Sequence, residues 1–155
     1  MSDPLIEREF PACAAEGYVE TSPATPDYNC IAWAAGQTDI AWWPLQVPGC
    51  YWPLRVPPKA DVNAFVQAFA MLNYVACDNG TLEAGFEKIA IYALEDGTPT
   101  HAARQLSDGS WTSKLGRYKD ITHATPAALE SSAKGRTDYG VVVACMKRPR
   151  TSLSA

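Results

Sequence analysis

Three apolar runs broken by two tight-turn signals constrain this chain more than any other feature. Residues 87–94 read EKIAIYAL, residues 100–106 THAARQL and residues 110–115 SWTSKL, with Asp96-Gly97 and Asp108-Gly109 between them. An Asp-Gly step between runs of this length specifies a hairpin, because glycine supplies the positive φ that the turn requires. Residues 139–146, YGVVVACM, predict a last strand that closes the sheet. Ahead of these runs, Asp61 caps an amphipathic helix that carries Val62, Phe65, Val66, Phe69 and Leu72 at spacings of three and four and runs to about Val75. Helices first and strands afterwards give an α+β fold, with N-terminal helices packed on an antiparallel β-sheet.

The remaining segments set the domain boundaries. Pro4, Pro11, Pro23 and Pro26 make residues 1–26 an extended N-terminal arm, residues 27–146 a single domain and residues 147–155 a flexible basic tail. Thr125 followed by Pro126 predicts the cap and first position of a short helix. Between residues 41 and 58 the proline density excludes a regular element, and Trp-Pro-Leu occurs twice, at Trp43 and again at Trp52. Trp42, Trp43 and Trp52 therefore either seal a small core or line a concave substrate site.

With 155 residues and 47% hydrophobic composition, the chain can fill one core. No run approaches the roughly 20 apolar residues that span a bilayer, and residues 1–9 lack the basic start and apolar run of a signal peptide. The expectation is a cytoplasmic protein, or one exported by a route that does not use a signal peptide, with no membrane partner. Five cysteines without a Cys-x-x-Cys spacing argue against a disulfide framework and a zinc cluster, so no metal and no cofactor is expected. Residues 1–100 hold 13 acids and 4 bases, whereas residues 101–155 hold 4 acids and 9 bases, a balance of 9 − 4 = +5. The bases are scattered, so the asymmetry reads as attraction within one fold, and nucleic acid is not expected as a partner.

Cys30 stands at the start of a short apolar segment, DYNCIAWAAG, which Asp27 can cap and Gly36 ends. A thiol in a first helical turn meets the positive end of the peptide dipole, which favours thiolate. The chain has two histidines: His101 opens the second predicted strand, and His123 follows in a loop-like stretch where a surface imidazole needs no special explanation. Cys30 and His101 suit a nucleophile and its base; a core thiol and a satisfied, partly buried imidazole are the structural alternatives.

Cysteine at a helix start, an aromatic loop, a covering helix and histidine at the second sheet strand together resemble the papain-like superfamily in its small bacterial form, the NlpC/P60 and amidase type. More closely, residues 28–34, 100–105 and 111–116 resemble a family of bacterial and fungal domains with the pattern NCIAWA, then HAARQ and DG.W.SK.G, for which no activity is established. The wider resemblance implies a papain-like fold and a cysteine hydrolase or acyltransferase, with Cys30 as nucleophile and His101 as base. Its substrate would be a peptide or protein amide, including peptidoglycan stem peptides.

The third catalytic residue is less sharply marked. The strand position opposite His101 falls near Leu115 or Gly116, with Ser113 a diagonal neighbour on the same face; Asp120 is the nearest carboxylate beyond, and Gln105 and Ser113 are alternatives. For the oxyanion, the amide of Cys30 is the simplest donor, with Asn29 and the Tyr18 hydroxyl as further candidates.

Overall fold

The computed structural model of the chain describes residues 3–45, 47–116, 118–130 and 139–150. Its frame is a seven-stranded antiparallel sheet, and the fold is α+β. The predicted meander is present as β5 (Phe86–Ala93), β6 (Pro99–Gln105) and β7 (Trp111–Lys114). The last strand, β9 (Val141–Pro149), does not close the sheet at its edge. It lies between β5 and β4 (Val75–Cys77), and the strand order is β1-β8-β7-β6-β5-β9-β4, with β1 (Tyr18–Ser22) and β8 (Asp120–His123) at the far side.

Both faces of the sheet are covered. On one face α3 (Cys30–Ala34) and α4 (Val62–Ala70) pack with Trp42 over Ile89, Ile91, Ala102 and Met146. On the other, α1 (Pro4–Glu9), α2 (Pro11–Glu16) and a 3-10 turn at Pro126–Leu129 enclose Ala90, Tyr92, Ala103, Trp111 and Ile121. The alternation is visible along β5, where Ile89 and Ile91 belong to one core while Ala90 and Tyr92 belong to the other. A strand buried on both sides shows a continuous apolar run, which is what residues 87–94 present.

Several expected boundaries change. The N-terminal arm is not extended: Asp3 caps α1 through the amides of Leu5 and Ile6, and α1, α2 and the edge strand β1 occupy most of it. It is fastened by the buried Asp3 carboxylate, which accepts from Tyr118 Oη at 2.6 Å and Lys119 Nζ at 2.7 Å. The basic tail is not free from residue 147, because β9 pairs Lys147 with Lys88 and Arg148 with Glu87; residues 151–155 lie outside the described residues. Helix α4 ends at Ala70, with Met71 as its cap, rather than near Val75, which begins β4. Within the proline-dense loop, Ala41–Trp42 and Cys50–Tyr51 form a two-stranded parallel ladder where no regular element was expected.

Candidate active site at the splayed edge of two strands

Cys30 is the first residue of α3, as expected, but its cap is Asn29 and not Asp27. Asn29 Oδ1 accepts from the amides of Ala32 and Trp42, each at 3.0 Å, and its Nδ2 donates to the Trp42 carbonyl at 2.8 Å. One side chain thus starts the helix and ties it to the aromatic loop. These three bonds commit the Asn29 side chain to the cap and to the loop.

The β6–β7 ladder ends at Arg104 and Thr112. Beyond that point α3 meets the edge of β6 where the ladder has ended, and the Cys30 thiol takes the place of a strand partner: it donates to the Thr100 carbonyl at 3.7 Å and lies against the Ala102 amide. The sulfur therefore sits beside the two residues that flank His101. It is 6% exposed, and burial pushes the thiol up to about 11, while the amides of Ala102, Ile31 and Cys30 itself pull the other way.

His101 is fully buried, and its ring projects to the opposite face from Ala102, stacked on Tyr139 with centroids 4.2 Å apart and edge-on to Tyr92. Its Nε2 lies 3.0 Å from Ser113 Oγ, the diagonal neighbour anticipated from the hairpin register. Ser113 Oγ lies in turn 2.8 Å from His123 Nε2, and His123 Nδ1 donates to the Thr125 carbonyl at 2.8 Å. His101 Nδ1 has no partner among the described residues. Thiol and imidazole are not hydrogen-bonded to each other: the sulfur packs in the core that holds Ala102, and the imidazole lies on the opposite face with Tyr92 and Tyr139. Burial holds His101 well below the ordinary histidine range, with the nearby His123 adding to the effect.

The other expected site residues are dispersed. Asp120 does not reach His101; it is buried on the Cys30 side of the sheet and accepts from Tyr28 Oη at 2.6 Å. Gln105 lies further along β6 and donates to the Gly80 carbonyl at 2.8 Å. Tyr18 starts β1, and its hydroxyl accepts from the Asp3 amide at 2.7 Å, so it is not a donor folded over Cys30. Trp42 is buried in the core, whereas Trp43 and Trp52 pack edge-on or tilted against Phe65 and line a groove of about 300 Å³ with Pro53, Leu54 and Val56.

Two residues were missed. His123 is no surface imidazole: it is 2% exposed on a strand, and burial lowers it to about 4. Lys114 is fully buried over the Tyr28 ring, donates to the Tyr118 carbonyl, and contributes a positive field at Cys30. The alternation along residues 111–115 signals Lys114 alone, since it places Ser113 on one face and Lys114 on the other.

A family model described as "Domain of unknown function (DUF7689)" matches residues 19–147. The chain belongs to this family. The match takes in Cys30, His101, Ser113 and His123 and begins after α2. The description assigns this DUF7689 domain no activity and carries no link to papain-like enzymes. No curated protein and no solved structure matches the chain. Among the described residues, no helix is long and apolar enough to cross a membrane, and no group of three or more His, Cys, Asp or Glu side chains could hold a metal ion.

Proposed function

We propose that the chain is a papain-like cysteine hydrolase or acyltransferase that acts on a peptide or protein amide, with Cys30 as nucleophile and His101 as base. One observation carries this reading: His101 is anchored through Nε2 while Nδ1 is left without a partner among the described residues, and the residues on either side of it hold the Cys30 sulfur. A base needs one nitrogen held and the other open.

With the thiol raised and the imidazole lowered, the resting pair is neutral. The reaction then begins with general-base attack rather than from a preformed ion pair. This route requires the Cys30 sulfur to leave the Thr100 carbonyl and pass the edge of β6 to come within reach of His101 Nδ1. The S–H proton passes to Nδ1 as sulfur adds to the carbonyl carbon; the C–N bond breaks, and the same proton leaves with the amine. Water, or an acceptor amine, then cleaves the thioester by the same route. The amides of Cys30 and Ile31 at the helix start would bear the oxyanion.

The test is peptide-resolved mass spectrometry after reaction with a p-nitrophenyl ester at neutral pH. One acyl group per chain on Cys30, absent in Cys30→Ala and strongly slowed in His101→Gln, is the expected result. Acylation spread evenly over the five cysteines, or unaffected by His101→Gln, ends the enzymatic reading. The second reading, a binding or inhibitory module, draws support from the buried, raised thiol and from the groove beside Trp43 and Trp52, where Leu54 is fully exposed.

A further inference from the structure

We infer that His123, acting through Ser113, is a positioning residue that sets the tautomer of His101. The Thr125 carbonyl oxygen carries no proton, so the hydrogen between it and His123 belongs to Nδ1. A neutral imidazole with its proton on Nδ1 has a lone pair on Nε2. The Ser113 hydroxyl, 2.8 Å away, must therefore donate to His123. Having given its only proton in that direction, Ser113 offers His101 a lone pair, and the 3.0 Å contact requires the His101 proton on Nε2. Nδ1 of His101 is then the bare nitrogen, which matches its lack of any partner among the described residues.

The chain of bonds runs across three adjacent strands: His101 on β6, Ser113 on β7 and His123 on β8. It is anchored at one end by a backbone oxygen, which cannot reverse its role. The three side chains are buried, at 0%, 0% and 2% exposure, so water does not compete for the bonds. The stack of Tyr139 on the His101 ring, with planes 9° apart, adds a constraint on ring rotation. A hydroxyl by itself can donate or accept and would leave the His101 tautomer open; the second histidine removes that freedom. This deepens the proposed function and rests on it, because a fixed lone pair on Nδ1 matters for chemistry only if His101 is the base.

The experiment has two independent readouts on the full chain. Long-range proton–nitrogen correlation spectra with labelled histidine report tautomers directly, and with two histidines in the sequence the variant His123→Phe assigns both. The wild type is expected to show one ring protonated on Nε2 and one on Nδ1. In Ser113→Ala the His101 signals should move toward the Nδ1–H form, and in Ser113→Asn, whose amide oxygen can accept from Nε2, they should return. Ser113→Ala should also lower the rate of Cys30 acylation by roughly 10²-fold, and Ser113→Asn should restore most of it. An Nδ1–H tautomer for His101 in the wild type, or an unchanged tautomer in Ser113→Ala, overturns the inference. If the wild type is not acylated while the tautomers respond as stated, the enzymatic reading fails and the positioning relay stands.

Discussion

Ser113 and Lys114 are consecutive on β7, yet they head two buried polar groups on opposite faces of the sheet. On one side Ser113 joins two neutral imidazoles in a line whose donors and acceptors are all assigned up to His101 Nδ1. On the other side Lys114, Asp120 and Tyr28 bring charge into a sealed space beside Cys30, with Asp120 Oδ1 left unpartnered among the described residues. The neutral line costs little desolvation and specifies direction. The charged group depends on mutual compensation, since burying an ion without its counterpart is far more expensive than burying a hydrogen-bonded neutral group. The two arrays should therefore fail differently when perturbed.

The largest expected effect is on the charged side. Asp120→Ala removes both the Tyr28 acceptor and the carboxylate nearest Lys114, and should cost about 3 kcal/mol or more, read as a lowered denaturant midpoint with unchanged m-value. A loss under about 1 kcal/mol would mean that Lys114 is already neutral or hydrated.

Acid should act on the neutral side. Burial lowers His123 to about 4 in the fold from its ordinary 6.5, outweighing the bond to Thr125. Below pH 6.5 the unfolded state binds the extra proton, so the stability held by neutral His123 is present above that pH and is lost as pH falls toward 4. The total is about 3 kcal/mol, and His101, shifted in the same direction, adds to it. Denaturation curves at pH 7 and pH 4.5 should show this loss in the wild type and a smaller one in His123→Gln; equal losses would break the assignment.

Smaller effects sharpen the contrast. Ser113→Ala leaves a ring N–H and a ring nitrogen without their bridge and should cost about 2 kcal/mol. Asn29→Ala removes a helix cap and two ties to Trp42 and should cost between about 1 and 2 kcal/mol, with a red shift of tryptophan emission as the loop loosens.

Much of this was legible in the chain. The two Asp-Gly turns and the runs they separate predicted β5, β6 and β7, and their register made Ser113 the diagonal neighbour of His101, because strand pairing across a short turn is a local property. Residues 120–123 were not legible as a strand: four residues with two charged or titratable ends carry no clear period, and β8 forms because β1 and β7 pair with both its edges. His123 was misjudged as exposed for that reason. The N-terminal prolines looked like an extended arm because proline breaks long helices, whereas at the first position of α1 and of α2 it starts short ones.

Elements with short-range causes were written into the chain: the meander, the apolar stripe of α4, and the placing of Cys30 at a helix start. Packing set which side chains share a face and which bonds they complete, bringing Cys30 to the edge of β6 and linking His101 to His123 through Ser113. The physical reason is that alternation and turn chemistry act over a few residues, whereas the fate of a buried donor or acceptor depends on whatever strand is packed beside it.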